Sequence, residues 1–80
     1  MIKAEVYITL KSTVADPQGL TVKHALESLG HRKIADVRMG KIVTVELDVD
    51  DKDKAKKQLD DMCKKLLANP IIENYRINLQ

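Results

Sequence analysis

The sequence predicts an α+β fold, a two-layer sandwich in which two helices cover one face of a four-stranded, mainly antiparallel sheet. Three observations carry this expectation. Apolar residues fall at every second position in some stretches, recur at helical spacing in two others, and the two kinds of stretch alternate in a definite order along 80 residues. A chain of this length holds one core and buries only roughly 60% of the surface it exposes when unfolded. A single domain over residues 1–80 is expected, with a thin core that self-association would support.

The first element is read over Ile2 to Lys11. Ile2, Ala4, Val6, Ile8 and Leu10 lie on one face and Lys3, Glu5, Tyr7, Thr9 and Lys11 on the other, the pattern of a half-buried strand. After Ser12-Thr13-Val14-Ala15 comes Asp16-Pro17-Gln18-Gly19. Asp16 suits a helix cap, and Pro17 suits the first helical position, where an amide would lack a partner anyway. Val22, Ala25, Leu26 and Leu29 form one helical stripe, and Gly30 stands where a left-handed residue ends a helix.

Ala35, Val37 and Met39, then Val43, Val45, Leu47 and Val49, all occupy odd positions between residues 35 and 49. Residues paired across a hairpin share a face, so pairing Met39 with Val43 requires a three-residue loop at Gly40-Lys41-Ile42. That hairpin is the expected arrangement; one long bent strand keeps the same parity. Asp50, Asp51 and Asp53 then crowd the start of a second helix, where carboxylates meet free amides and the positive end of the dipole. Its stripe is Ala55, Leu59, Met62, Cys63 and Leu66, with Lys64 and Lys65 in the last turns and Asn69-Pro70 as the stop. A final strand from Ile72 to Leu79 places Tyr75, Ile77 and Leu79 together.

The resulting order, βαββαβ, is that of ferredoxin-like sandwiches. The sheet face left open would carry Tyr7, Thr9, Arg38, Thr44, Glu46, Asn74 and Arg76, an amphipathic surface suited to a partner protein.

Composition and motifs narrow the function. Net charge is +2 with both signs interspersed, so no strong field points at nucleic acid or an anionic membrane. No apolar run approaches the roughly 20 residues of a membrane helix, and no secretory core is present at the N-terminus; a soluble cytoplasmic protein is expected. The single cysteine, Cys63, lies on a buried stripe far from either histidine and reads as a core thiol rather than a nucleophile. His24 and His31 have no partner at ligand spacing, no Cys-x-x-Cys loop exists, and the aspartates near residue 51 read as helix caps. No glycine-rich phosphate loop is present, and a chain with no Phe or Trp offers poor stacking for RNA. The expected catalytic, cofactor-binding and metal residues are therefore none, and the chain reads as an interaction module.

Four segments carry a resemblance: Lys3-Ala4-Glu5-Val6-Tyr7-Ile8-Thr9-Leu10-Lys11, Asp16-Pro17-Gln18-Gly19, Asp36-Val37-Arg38-Met39-Gly40-Lys41, and the run from Cys63 to Glu73. In this order and spacing they resemble, from end to end, the PurS family of small FGAM synthase subunits. Family members often have Pro-Gly where this chain has Ser12-Thr13. The resemblance implies a non-catalytic subunit that joins the PurL synthase and the PurQ glutaminase and occurs as a dimer or tetramer. The complex turns formylglycinamide ribonucleotide (FGAR), ATP and glutamine into formylglycinamidine ribonucleotide (FGAM), ADP, phosphate and glutamate. ATP and magnesium would be used on the larger subunits, with no cofactor on this chain. Candidate subunit contacts are Asp16, Pro17, Gln18, Gly19, Arg38, Gly40, Lys41, Asn69 and Pro70, because loops on a rigid sheet are where docking determinants sit. A different class of function, a small regulatory domain binding an amino acid or nucleotide between two protomers, is the alternative expectation.

Overall fold

The computed structural model describes residues Met1–Gln80. Strand β1 spans Ile2–Leu10, helix α1 Pro17–Ser28, strand β2 Gly40–Leu47, helix α2 Lys52–Met62, and strand β3 Glu73–Leu79. A π-helical turn over Cys63–Leu67 extends α2. The sheet has the order β2-β1-β3, and both pairings are antiparallel. Its register puts Val6 opposite Val43 on one side and Ile77 on the other. The even positions of β1 and the odd positions of β2 and β3 therefore share one face, as the alternation predicts.

The core lies between that face and α2. Ala4, Val6 and Ile8 of β1 are buried against Leu59, Cys63 and Ala68, with Val43, Val45, Tyr75 and Ile77 packed around them. Each fully buried large side chain contributes roughly 1.5–3 kcal/mol of transfer free energy. Asp51 caps α2 by accepting from the Asp53 amide at 2.9 Å. Gly30, at φ 96°, ends α1 in the left-handed region.

The structure corrects three expectations. The sheet has three strands, so the fourth strand and the hairpin at Gly40-Lys41-Ile42 are absent from the chain. Residues 31–39 form no ladder and no turn and run straight into β2. The reason is competition for their backbone groups. The Met39 amide is taken by the Asp16 carboxylate at 2.6 Å, and the Val37 carbonyl lies against Gly19, so the segment is bound to the start of α1 and not to an edge of the sheet.

The second correction concerns α1, which makes no extensive contact with the sheet or with α2. Val22 and Leu26 are half-buried beside the returning segment, whereas Leu20 and Leu29 are 53% and 75% exposed. The molecule is accordingly long, 49 × 24 × 15 Å, with a radius of gyration of 16.0 Å; a compact domain of this length would have about 12 Å.

The third concerns Leu66. The Ala68 amide bonds to the Cys63 carbonyl at 3.0 Å, one residue further back than in an α-helix, which shifts the stripe by one position. Leu67 turns inward to half-burial, and Leu66 is left 84% exposed.

Candidate docking surface

β1 ends and β2 begins side by side, with Thr9 paired to Gly40. Two stretches of backbone leave the sheet at this edge: residues 11–16, which lead into α1, and residues 31–39, which return from it. Asp16 ties them together. One carboxylate oxygen caps α1 by accepting from the Gly19 amide at 2.9 Å, and the other accepts from the Met39 amide at 2.6 Å. Arg38 bonds in the opposite direction, donating from one guanidinium nitrogen to the carbonyls of Lys11 and Val14 at 3.0 and 2.6 Å. The Lys11 carbonyl also takes the Val14 amide at 2.9 Å, so Ser12-Thr13 forms the tip of a tight turn.

Asp16 is buried, at 8% exposure. The Gly19 and Met39 amides hold its carboxyl below the ordinary value of 3.8, the nearby Arg38 charge acts in the same direction, and burial opposes them.

A second loop joins this region. The Asn69 carbonyl takes the amides of Ile72 and Glu73 at 3.1 and 2.7 Å, and the Glu73 carboxylate accepts from the Asn69 amide at 2.7 Å. The Lys11 amide donates to the Ile72 carbonyl at 2.8 Å, which links this turn to the end of β1. A shallow cleft of about 250 Å³ results, lined by Asp16, Gln18, Gly40, Lys41 and Glu73 among others. A neighbouring cleft of about 370 Å³ lies between Pro17, Leu20 and Lys23 of α1 and Asp36, Val37 and Arg38.

The structure thus gathers the sequence-predicted contacts at one end of the sheet, with Asn69 reaching the cleft through Glu73. Pro17, Gln18, Lys41, Asn69 and Pro70 are exposed, whereas Asp16 and Gly19 are buried in the joint. Arg38 is not on the open sheet face, as the odd-even pattern suggested; residues 31–39 never enter the sheet, and its guanidinium crosses to the first loop. The open face instead carries the Arg76 guanidinium 4.6 Å above the Tyr7 ring, with Ile42, 57% exposed, opposite Tyr7 in the register. Sequence reasoning missed Val37 and Glu73. Glu73 had a local signal in its spacing from Asn69; Val37 had none, because its contact with Gly19 spans two loops.

Away from this end, the Tyr75 hydroxyl donates to the Asp60 carboxylate, which also pairs with Lys64 at 3.0 Å. The Tyr75 bond, followed by that of Lys64, holds Asp60 below 3.8, and the bond to Asp60 pushes the Tyr75 phenol up to about 12. Burial raises the neighbouring Cys63 thiol, with the Asp60 charge adding to it. For the phenol the folded value is the higher one. Its stabilisation is complete below the ordinary value of 10.0 and is lost as pH rises toward about 12. For Asp60 the folded value is the lower one, so its stabilisation is complete above 3.8 and is lost as pH falls through the depressed value. In a Tyr7→Phe background, phenolate absorbance should titrate near 12, and adding Asp60→Asn should bring the midpoint down toward 10.0. An unmoved midpoint would show that Asp60 does not govern the phenol.

Comparison with known proteins agrees along the whole chain. The family model described as PurS, phosphoribosylformylglycinamidine (FGAM) synthase, matches residues 3–80. The PurS subunit of that synthase from Bacillus subtilis is 42% identical over 80 residues, covering 100% of this chain and 94% of the relative. The crystal structure of Methanocaldococcus jannaschii PurS superposes with a TM-score of 0.88 at 39% identity, covering 100% of this chain and 96% of that one. A chain in the structure of PurLQS from Thermotoga maritima superposes at 0.86 with 26% identity, covering 100% and 99%. By family model, identity and fold alike, the chain belongs to the PurS family of FGAM synthase subunits.

Proposed function

We propose that this chain is the non-catalytic small subunit of FGAM synthase in purine biosynthesis, and that it assembles the PurL synthase with the PurQ glutaminase so that ammonia passes between them. The observation that carries the reading is the end-to-end match to a chain of the Thermotoga maritima PurLQS structure. The complex converts FGAR, ATP and glutamine into FGAM, ADP, phosphate and glutamate. ATP and magnesium are used on the larger subunits, this chain binds no cofactor, and residues 1–80 work as one PurS-like unit. No helix is long and apolar enough to cross a membrane; a cytoplasmic location follows from the pathway.

The chain also pairs with itself. Leu20 on α1 and Leu29 at its C-terminal cap are exposed, and Val43, Val45 and Leu47 on the helix-bearing face of β2 are only half-covered. A second copy supplies the missing cover. The four-stranded ferredoxin-like layer that one chain lacks is then completed between two chains. The exposed contacts are Pro17, Gln18, Arg38, Gly40, Lys41, Asn69 and Pro70, held in place by the buried Asp16 and Gly19.

The test is the synthase rate of PurL plus PurQ, with glutamine or with ammonia, in the presence and absence of this chain. Glutamine-dependent turnover should fall at least about tenfold without the chain, while ammonia-dependent turnover should hold. Glutamine-dependent turnover that survives intact would sink the proposal.

A further inference from the structure

The region where α1 leaves the sheet has an unusual structure. Two backbone segments depart side by side beyond the Thr9 to Gly40 pair, and α1 makes no extensive contact with the sheet or α2 beyond them. A helix attached in this way has no packing on the sheet or on α2 to set its direction, only its contact with the returning segment. Hydrogen bonds across the two segments are what remain; apart from a long bond of 3.4 Å from the exposed Lys23 ammonium to the Ala35 carbonyl, they converge on two side chains. Asp16 joins residue 39 to the start of α1, and Arg38 joins residue 38 to the carbonyls of Lys11 and Val14. Both bonds of Arg38 and one of the two bonds of Asp16 span more than twenty residues of sequence.

A helix cap needs only one acceptor, and serine supplies it nearly as well as aspartate. The second oxygen of Asp16 is therefore spent on something other than the helix: it fixes the returning segment against the outgoing one. Bonds to a charged carboxylate are the stronger kind, and the partial burial of this one shields it from competing water. Arg38 bridges two carbonyls of the outgoing loop from the same returning segment. Together they cross-brace the joint.

We propose that Asp16 and Arg38 are a positioning pair that sets the direction in which α1 projects from the sheet, and so makes the helix competent to receive a second copy of the chain. This rests on the self-association proposed above. Neither residue needs to touch the second copy; each acts through the angle of α1.

The experiment uses the full chain with three substitutions. Asp16→Ser keeps a cap for α1 and removes the bond to Met39. Arg38→Met keeps an unbranched, flexible stem and removes both bonds to the outgoing loop, and a double variant combines them. Sedimentation gives the self-association constant, circular dichroism the helix content, and hydrogen exchange the protection of individual amides. In each single variant we expect at least about tenfold weaker self-association, unchanged helix content, lost protection at Met39 in Asp16→Ser, and intact protection at Val6 and Ile8.

Self-association equal to wild type in both single variants would overturn the pair. Loss of protection across β1 together with weakened association would also overturn it, because the residues would then support the fold and not the angle. A wild-type chain that stays monomeric at all concentrations would overturn the self-association reading itself, which separates the two failures.

Discussion

Replacing Leu59 by alanine should leave the chain largely unfolded at physiological temperature. Leu59 is fully buried where α2 crosses the sheet, and it shares the core with Val6, Ile8 and Cys63. Truncating a buried leucine costs about 2–5 kcal/mol, because the lost transfer energy is joined by the cost of a cavity that neighbours fill only in part. A single core in a domain of this size rarely supplies more than about 3–5 kcal/mol in total. The two ranges overlap, so one truncation is expected to consume most of the stability. In a thermal scan the midpoint should fall by at least about 10 °C, with amide protection lost together across β1 and β3. A variant whose midpoint stays within about 2 °C of wild type would show that the core is not centred on α2. Leu66→Ala is the internal control. That side chain is 84% exposed, so its truncation should change the midpoint little.

Gly19→Ala should have the second largest effect, and at a different place. A Cβ at Gly19 would stand 2.1 Å from the Val37 carbonyl oxygen and 3.0 Å from an Asp16 carboxylate oxygen. The first is a backbone atom and cannot rotate out of the way, so the returning segment must move off α1. The added methyl favours helix by up to about 1 kcal/mol, which makes the expected result diagnostic: helix content is kept, while protection at Met39 is lost. Glutamine-dependent turnover of the reconstituted complex should drop with it, and ammonia-dependent turnover should not. Full glutamine-dependent activity in a folded Gly19→Ala chain would mean that the contact between α1 and residues 37–39 is dispensable for assembly.

These two outcomes separate the halves of the molecule, and the halves differ in how far sequence reveals them. β1, α2 and β3 were legible because each is specified by contacts of regular period. Ile2, Ala4, Val6 and Ile8 alternate as a strand must, and Ala55 and Leu59 lie four apart on one helical face. The caps were legible for the same reason: Asp16 and Asp51 act within three residues of themselves. The candidate surface was legible as loops, from Asp16-Pro17-Gln18-Gly19, Gly40-Lys41 and Asn69-Pro70, and the structure brings those loops to one end of the sheet.

What the sequence determined by itself is therefore the set of local elements, the inward face of each strand, the start of each helix, the absence of a phosphate loop or Cys-x-x-Cys motif, and the resemblance to PurS. Only the tertiary structure decided where α1 goes, that residues 31–39 bind the start of α1 and not the edge of β2, and that a π-turn puts Leu67 inside and Leu66 outside. The physical reason is range. An alternating pattern says that a segment has an apolar face but not what covers it, and an amide at residue 39 can satisfy itself on a strand edge or on a carboxylate 23 positions away. In this chain the carboxylate of Asp16 wins that competition, and the fourth strand and the placement of α1 are decided with it.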